Sequence, residues 1–407
     1  MDKMKKLHIG FLGLGVVGAQ LMNIIRENEK KLKEQYGTQI IFGKVLVRDL
    51  NKKRETDVTN IELTTNGDEI VCDEKIDVVI DCMGGAGCQQ TTELLYKAIC
   101  NGKNVIMSSK KCLALNGKKF VRMANENKIY LGFDATVGGG IPITHMMKSC
   151  GLGEKITNIL GIFNATSNFI LSKMQRERME FEAGLAIAQN DGYAENDPSE
   201  DINGYDALYK LVIMMGMCFD IWKNPSELLC QSIMNIKYFD FKYLSKYDSC
   251  IKAVAMADRV EHRYYIGPCV LKKDTLIANV NDNNNLIFID GTWSGRRAFY
   301  GQGAGNRPTA NTMYDDIIHC IEKRSLVSSL NEMNNDIEYM PLYGKFYVRI
   351  NSFVDRTFIE EVFEQSIIES LQYDKELDVT YVIISNINGK KIETVLSDYT
   401  YFYAPFM

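Results

Sequence analysis

Carboxylates and one lysine are concentrated in a short stretch near the middle of the 407-residue chain. Five acidic residues precede Lys210, namely Glu195, Asp197, Glu200, Asp201 and Asp206. Asp206 and Lys210 are four positions apart, so on a helix they share one face. The almost wholly apolar residues 211–217 predict that this helix is buried, and a buried lysine needs a partner. A paired, partly buried lysine is a candidate acid or base, with a solvated acidic loop as the alternative.

A second candidate acid is Lys110, which follows the predicted strand Asn104–Met107. Ligands of open α/β sheets bind at the carboxyl ends of the strands, and Lys110 would lie there. The alternative is a surface lysine in the pair Lys110-Lys111.

A glycine-rich hexapeptide near the start of the chain has the spacing G-x-G-x-x-G: Gly13, Leu14, Gly15, Val16, Val17 and Gly18. An apolar strand precedes it and a helix pattern follows it. In that context the first glycine allows a tight turn, the second lets a pyrophosphate approach the backbone, and the third lets helix and strand pack closely. The hexapeptide therefore predicts a dinucleotide site, with a turn that binds nothing as the alternative.

The end of the second predicted strand carries Arg48, Asp49 and Lys52. An acidic residue there suits a ribose 2′-hydroxyl, whereas basic residues suit a 2′-phosphate. Both types are present, so NADP and NAD both stay open as the cofactor.

Strand and helix patterns alternate along residues 1–135. Strands are predicted at 7–12, 40–47, 77–82 and Asn104–Met107, and helices at 16–36 and 89–100. This alternation predicts an α/β fold, a parallel Rossmann sheet with helices on both sides. Glycines at 301–305 precede a further helix pattern, so we assign 1–135 with 301–330 to the nucleotide domain.

The remaining residues predict two further parts. Residues 136–300 are assigned to an α+β substrate-binding and dimerisation domain, an antiparallel sheet with helices on one side. Residues 331–407 form a small α+β tail, with a strand pattern at 345–353, a helix pattern at 359–372 and a strand pattern at 377–387.

The bulk composition excludes several classes of protein. Hydrophobic residues make up 46% and charged residues 24% of the chain, with a net charge of -5, which gives no argument for nucleic acid or membrane binding. No apolar run reaches the roughly 20 residues that span a bilayer, and the N-terminal segment does not resemble a signal peptide. The scattered 11 cysteines and 4 histidines disfavour a disulfide framework or a zinc site and suit a reducing cytoplasm.

Taken in chain order, these segments resemble the homoserine dehydrogenase family from about residue 7 to about residue 325. The similar segments are GLGVVG, VRDLNKKR, DCMGG, VIMSSKKCLA, DATVGGGIPI, FNATSNFILSKM, GYAENDPSEDINGYDALYK and GQGAGNRPTA. The acidic run that ends in Lys210 is the most specific of them. The resemblance implies an NAD(P)-dependent oxidoreductase that interconverts L-homoserine and L-aspartate 4-semialdehyde, on the way to threonine and methionine.

The resemblance also implies roles for individual residues. Lys110 and Lys210 match the family's two lysines at the reacting centre, and which of them delivers the proton stays open. Asp201 and Asp206 match aspartates that bind the hydroxyl end of the substrate, and Glu195 matches the carboxylate that holds its ammonium. The substrate pocket would be lined by Thr166, Gly192 and Tyr193. Further cofactor contacts would come from Met83, Gly84, Ser108 and Gly303. A monovalent cation, such as sodium, would bind at Asp134, Val137, Gly139 and Ile141, mostly through main-chain carbonyls.

Several positions depart from the family pattern. Asp134 stands where the family usually has Glu, Ala165 where it has Gly, and Ser108-Ser109 where Ala-Asn is common. The tail is similar to an ACT-type regulatory module, but its ligand-binding turn, which usually carries Pro-Gly, reads VDRT at 354–357. Threonine binding by the tail and a packing or dimerisation role both stay open.

Two alternatives to the homoserine reaction stay open. The first is a reductase of a related amino-acid aldehyde, and the second is an NAD(P)-binding sensor that has lost turnover. A phosphorylating semialdehyde dehydrogenase is disfavoured, because no cysteine lies in a context that would activate it as a nucleophile. The predicted partners are a small-molecule substrate and other copies of the chain, as a homodimer or homotetramer.

Overall fold

The protein is described by a computed structural model that covers residues 4–84, 87–151, 154–323, 338, 340–364 and 366–407. The chain divides into two compact units. The first unit comprises Met1–Lys155, Val212–Glu227 and Gly301–Asn335, and the second comprises Ile156–Leu211, Leu228–Tyr300 and Asp336–Met407. The proposed division into nucleotide domain, substrate domain and tail stays a prediction.

The first unit is built around a parallel sheet. Its elements are β1 (Lys5–Leu12), α1 (Val16–Glu27), α2 (Glu29–Tyr36), β2 (Thr38–Leu46), β3 (Leu63–Thr64), α3 (Asp68–Val71), β4 (Val78–Asp81), α4 (Cys88–Cys100), β5 (Asn104–Met107), α5 (Lys110–Glu126), β6 (Leu131–Gly132), α6 (Ile143–Gly151) and α12 (Asn306–Ile321). The described strands lie in the order β3-β2-β1-β4-β5-β6, and each neighbouring pair is parallel. This is the strand order of a dinucleotide-binding sheet, which confirms the predicted fold class. The order reverses between β1 and β4, where such sheets bind their ligands.

The single helix predicted over 16–36 is wrong, because the segment forms two helices that meet at Asn28. The Asn28 side-chain amide donates to the Ile24 carbonyl at 2.8 Å, at the end of α1. Helix α1 buries an apolar face, whereas α2 is mostly charged and buries only Leu32. The periodicity in the sequence is continuous across both helices, although only α1 buries a whole apolar face.

The Trp222 side chain packs against two glycines of the first unit, Gly117 and Gly216. Its indole N–H donates to the Ala114 carbonyl at 2.8 Å, and the side chain is 5% exposed. A Cβ added at Gly117 would lie 1.7 Å from the indole, and one added at Gly216 would lie 2.1 Å from it. Both positions therefore need glycine so that the ring can pack.

The second unit contains a largely antiparallel sheet. Its elements before the tail are β7 (Ile156–Ile162), α7 (Ala165–Glu177), α8 (Phe181–Asn190), α9 (Ser199–Ile202), α10 (Tyr205–Phe219, whose last residues belong to the first unit), α11 (Tyr238–Ser245), β8 (Ser249–Asp258), β9 (Arg263–Lys272), β10 (Asn284–Gly291), β11 (Gly295–Gln302) and β12 (Met340–Pro341). The described strands lie in the order β11-β10-β7-β8-β9-β12. The pairs β10/β7, β7/β8 and β8/β9 are antiparallel, as predicted for this part.

The tail forms a second sheet in the same unit. It consists of β13 (Tyr343–Ile350), α13 (Arg356–Val362), β14 (Ile367–Asp374), β15 (Val379–Asn388), α14 (Gly389–Val395) and β16 (Tyr401–Pro405). The strands lie in the order β14-β15-β13-β16 and pair antiparallel, a ferredoxin-like β-α-β-β-α-β arrangement. One face of this sheet has its own apolar core beneath α13 and α14. The other packs on α7 and α11 through residues that include Tyr347 and Phe402.

The helix predicted over 359–372 is half wrong, because residues Ile367–Asp374 form β14. This strand pairs with β15 along almost its whole length, and its side chains alternate only weakly between exposed and half-buried. Pairing with a distant strand therefore overrides the local helical pattern. Asp355, in the VDRT turn, caps α13, since its carboxylate accepts from the Phe358 N–H at 2.8 Å.

The second unit buries an ion pair, Asp240 with Arg349, and a further charged side chain, Lys252. Asp240 is fully buried and accepts from Arg349 Nε at 2.9 Å and from the Tyr347 hydroxyl at 2.6 Å. Lys252 is 1% exposed and donates to the Val280 carbonyl at 2.6 Å. Burial lowers the pKa of Lys252 to about 8. Within the described ranges, no helix has the length and apolarity needed to cross a membrane.

Candidate active site

The glycine turn after β1 has the geometry that its spacing predicts. Gly13 has a φ of +95°, and a Cβ there would lie 2.5 Å from the Cys82 carbonyl oxygen. A Cβ on Gly18 would lie 3.2 Å from the Gly13 carbonyl oxygen. Around Gly15, by contrast, a Cβ would meet no described atom within 4 Å. Two glycines thus serve close packing, and the middle one leaves open space beside the backbone.

Helix α1 begins directly over that open space. Gly15 is its N-cap residue, and no side chain among the described residues caps it. Gly15 and Val16 are exposed, Val17 is half-buried, and Leu14 is buried. The first N–H groups of a helix attract anions through their unpaired donors and the helix dipole. The turn therefore fits a pyrophosphate, as a dinucleotide cofactor would bring.

Asp81 holds together the loops that follow β4 and β5. The residue is fully buried, and its carboxylate accepts from the Met83 N–H at 3.0 Å and from the Ser109 N–H at 3.1 Å. Its carbonyl accepts from the Ser108 hydroxyl at 2.9 Å. Burial raises the pKa of Asp81, and these hydrogen bonds oppose the rise. Met83 is buried and Gly84 exposed beside this junction.

Lys110 is the first residue of α5 and is half-buried. Its backbone N–H donates to the Ser108 carbonyl at 2.9 Å. The lysine therefore lies where the sequence predicts, just past the carboxyl end of β5 and close to the Asp81 junction.

The ribose end of the predicted cofactor site is solvent-accessible. Arg48, Asp49 and Lys52 are all exposed after β2. One carboxylate oxygen of Asp49 accepts from the Asn51 N–H at 2.8 Å and so stabilises the turn at residues 49–51. Basic side chains for a 2′-phosphate and a carboxylate for a 2′-hydroxyl are both available here.

Two glycine-rich loops of the first unit meet each other. Gly139 has a φ of +58°, and a Cβ there would lie 2.6 Å from the Gly303 carbonyl oxygen. The Gly140 N–H donates to the Gln302 carbonyl at 3.1 Å. The Gly139 carbonyl also accepts from the Thr312 hydroxyl at 3.0 Å. Val137, Gly139 and Ile141, predicted to offer carbonyls to a cation, lie in this buried arrangement.

The Asp134 carboxylate caps α6. It accepts from the Thr144 N–H at 2.9 Å and from the Thr144 hydroxyl at 2.7 Å. Burial raises its pKa to about 6, and these bonds oppose the rise. One carboxylate oxygen is thus committed to the helix. Across the described residues, no cluster of three or more His, Cys, Asp or Glu side chains could hold a metal ion, so a cation here would depend on carbonyl oxygens.

Lys210 and Asp206 form a buried ion pair in the second unit, as their spacing predicts. Lys210 Nζ lies 2.8 Å from Asp206 Oδ2 and donates to the Phe163 carbonyl at 2.7 Å. Lys210 is 7% and Asp206 1% exposed. The Asn285 amide donates to the same Phe163 carbonyl at 2.8 Å. Asp206 and the Phe163 carbonyl thus hold the ammonium group in place, and Asn285 in turn fixes that carbonyl.

Asn164 joins the two aspartates that the sequence singles out. Its side-chain amide donates to Asp201 Oδ1 at 2.6 Å and to Asp206 Oδ2 at 2.7 Å. Its oxygen accepts from the Ser167 N–H at 2.6 Å and so caps α7. One buried asparagine therefore fixes the start of a helix and the positions of both carboxylates.

The remaining predicted pocket residues lie at the start of α7 and on the segment before α9. The Thr166 hydroxyl donates to the Tyr193 carbonyl at 2.8 Å, which ties α7 to that segment. Gly192 has a φ of +78°, and Gly192, Tyr193 and Glu195 are exposed. Among the described residues, the Glu195 carboxylate has no hydrogen bond or ion pair, so it is available to a ligand.

The structure thus assembles two partial sites, one in each unit. In the first, Asp81 connects the backbone beside Met83 with Ser108, next to Lys110. In the second, Asn164 connects Asp201 with the Asp206–Lys210 pair. Sequence reasoning missed Asp81, Asn164 and Asn285 as positioning residues. The signal for two of them was their place, Asp81 as the last residue of β4 and Asn164 directly before α7.

Comparison with known proteins agrees with this geometry. The family model for the homoserine dehydrogenase NAD-binding domain matches residues 13–133, and the homoserine dehydrogenase model matches residues 142–318. The homoserine dehydrogenase of Bacillus subtilis is 33% identical over 325 residues, covering 79% of this chain and 75% of the relative.

Solved structures extend the likeness to the whole chain. A homoserine dehydrogenase from Thiobacillus denitrificans is 26% identical with a TM-score of 0.89, covering 100% of this chain and 99% of that one. The S. aureus homoserine dehydrogenase is 28% identical with a TM-score of 0.80, covering 99% of both chains. The tail, which lies beyond the family models, is thus part of the structural similarity.

Proposed function

The chain belongs to the homoserine dehydrogenase family of NAD(P)-dependent oxidoreductases in amino-acid biosynthesis, and from this premise we propose which residues perform the reaction. That reaction interconverts L-homoserine and L-aspartate 4-semialdehyde. The observation that carries the assignment is the buried pair of Lys210 and Asp206, fixed by Asn164. When bound, the nicotinamide supplies the hydride that adds to the aldehyde carbon, or accepts it in the reverse direction.

Carboxylates of the second unit hold the substrate. Glu195 binds its ammonium, because this exposed carboxylate has no described partner of its own. Asp201 and Asp206 orient the hydroxyl end, and the Asn164 amide keeps both carboxylates in position. Thr166, Gly192 and Tyr193 line the pocket. This arrangement matches a small amino acid, which needs a fixed negative charge for its ammonium and donors near its oxygen.

The two lysines have different tasks at the reacting oxygen. Negative charge develops there as the aldehyde is reduced, and a positioned ammonium stabilises it. Lys210 suits this task, because Asp206 and the Phe163 carbonyl hold its charge in a fixed place. Lys110 delivers the proton. It is the half-buried first residue of α5, just past the carboxyl end of β5, where open α/β sheets bind their ligands.

The carboxyl edge of the parallel sheet would hold the cofactor. The turn Gly13–Gly18 would hold the pyrophosphate, and Met83, Gly84, Ser108 and Gly303 would contact the nicotinamide half. Arg48 and Lys52 favour NADP, while Asp49 permits NAD. A monovalent cation such as sodium would be held by the carbonyls of Val137, Gly139 and Ile141, with Asp134 capping α6 beside them.

The decisive experiment is a steady-state assay of L-homoserine oxidation with NAD⁺ and NADP⁺, followed by nicotinamide absorbance. Lys110→Ala and Lys210→Ala should each lower kcat by about 10²–10⁴-fold, the usual contribution of an acid–base group. Lys111→Ala is the matched control, since it removes the adjacent exposed lysine and should leave kcat unchanged. Fluorescence titration with NADPH checks that every variant still binds the cofactor.

The same assay separates the alternatives. Wild-type protein that binds NADPH but oxidises no homoserine would refute the assignment. Turnover of a different amino-acid aldehyde would then favour the related reductase, for which the methyl of buried Ala165 is the motivating feature. No turnover with any aldehyde would favour a sensor.

We also propose a homodimer or homotetramer in the cytoplasm. Strand β11 is an edge strand among the described strands, and Trp293 just before it is 81% exposed. An exposed edge with large apolar side chains is a natural site for a second copy. The ten cysteines whose side chains the structure describes are free thiols, which suits a reducing compartment. Light scattering after size exclusion would measure the assembly, and a monomeric mass would refute it.

A further inference from the structure

Two thiols of the first unit lie unusually close together. Cys88 is the first residue of α4, and Cys112 lies in the first turn of α5. Their sulfur atoms are 2.9 Å apart, whereas the buried sulfurs of Cys82 and Met313 are 4.0 Å apart. A disulfide bond measures roughly 2.05 Å. The two sulfurs would therefore have to approach by only about 0.9 Å to bond.

We propose that Cys88 and Cys112 are a redox-modification site that forms a reversible disulfide. No role in the family reaction requires either thiol, and both are free in the structure. The pair is thus distinguished from the other described cysteines by its geometry rather than by exposure alone.

Accessibility decides the order of the reaction. Cys88 is half-buried, whereas Cys112 is 3% exposed, and burial raises the pKa of the Cys112 thiol. The Cys88 thiolate therefore attacks first, on a sulfur of a small disulfide such as glutathione disulfide, and one glutathione thiolate leaves. Cys112 then attacks Cys88 Sγ and expels the second glutathione. The two protein thiols lose two electrons and two protons, and the oxidant is reduced to two glutathione thiols.

The bond would connect two segments of the proposed active site. Cys88 follows Met83 and Gly84 along the chain, and Cys112 comes two residues after Lys110. A shift of about 1 Å at a catalytic group can cost roughly 10²-fold in rate. Oxidation should therefore lower kcat/KM by up to about 10²-fold. This consequence, unlike the disulfide itself, rests on the proposed function.

The experiment uses the full-length wild-type protein in glutathione buffers of increasing oxidised fraction. After an acid quench and alkylation, a proteolytic digest is analysed by mass spectrometry. We expect a cross-linked Cys88–Cys112 peptide that disappears with dithiothreitol. Cys100→Ser, which changes an exposed thiol at the far end of α4, should form the same cross-link. Cys88→Ser and Cys112→Ser should not.

Alkylation of both thiols, or glutathione on Cys88 without the cross-link, would overturn the proposal. The wild-type measurement stands even if a serine variant folds poorly. Homoserine turnover is measured on the same samples before and after dithiothreitol. A cross-linked enzyme with unchanged kcat/KM would refute the link to the active site. Protein that never oxidises homoserine would count against the proposed function, while the mass spectra would still decide the disulfide.

Discussion

Replacing Asn164 by serine would separate its two tasks. Serine is a good N-cap residue, so α7 keeps its first hydrogen bond, but the amide donor to Asp201 and Asp206 is lost. A hydrogen bond to a charged group is worth about 1.5–3 kcal/mol. The hydrogen bond to buried Asp206 should contribute an energy near the upper end of this range, and the hydrogen bond to half-buried Asp201 an energy near the lower end. We expect Asn164→Ser to lower the free energy of unfolding by about 4–5 kcal/mol.

Two further variants calibrate that figure. Asn164→Ala also removes the cap and should cost about 1 kcal/mol more. Asn388→Ala removes only a cap, at α14, where the asparagine accepts from the Lys391 N–H at 2.9 Å. Asn388→Ala should lower the free energy of unfolding by about 1 kcal/mol and leave turnover unchanged.

Urea unfolding gives the stabilities, and homoserine oxidation gives kcat/KM. Asp206 fixes Lys210, and in Asn164→Ser it would lose the amide that holds it in place. The kcat/KM of this variant should therefore fall by about 10²-fold. If Asn164→Ser were no less stable than Asn388→Ala and equally active as wild type, the idea that Asn164 positions the carboxylates would be refuted.

Three predictions concern buried groups away from the reaction. The pKa of Lys252 is about 8 in the folded chain against an ordinary 10.5, so the unfolded chain binds more protons between these pH values. Stability should therefore rise by about 3 kcal/mol from pH 8 to pH 10.5, and Lys252→Met should abolish this slope in urea titrations. Asp240→Asn leaves the buried Arg349 charge without its partner and should lower the free energy of unfolding by about 3–5 kcal/mol. The double variant with Arg349→Met should lose less stability, and an equal loss would contradict this account of the pair. Gly117→Ala should destabilise by about 1–3 kcal/mol in thermal unfolding, because the clash with Trp222 outweighs the gain of about 1 kcal/mol in helix propensity; a stabilised variant would show that the ring can move aside.

Local patterns in the sequence predicted the parts of the site that depend on neighbours along the chain. The glycine hexapeptide predicted the turn at Gly13 and the start of α1, because the positive φ of Gly13 and the packing of Gly18 on the Gly13 carbonyl involve only neighbours along the chain. The spacing of four residues predicted the pair of Asp206 with Lys210, since one helical turn brings them together. The parallel Rossmann sheet followed from the alternation of strands and helices along residues 1–135.

Features that depend on distant residues could not be predicted in this way. Asn164 binds partners 37 and 42 positions away, and Arg349 binds Asp240 across 109 positions. No periodicity encodes such partners, so a polar residue in the sequence does not reveal which carboxylate it will meet. Strand β14 was missed for the same reason, because its structure is decided by β15 and not by its own pattern.

The packing of Trp222 has a spectroscopic consequence. The chain has 2 tryptophans, and the other, Trp293, is 81% exposed. Trp222 belongs to the first unit and Trp293 to the second. The buried indole should emit at shorter wavelength and resist a soluble quencher, whereas the exposed one should be quenched readily. Intrinsic fluorescence can therefore report on each unit separately, with no label attached to the protein.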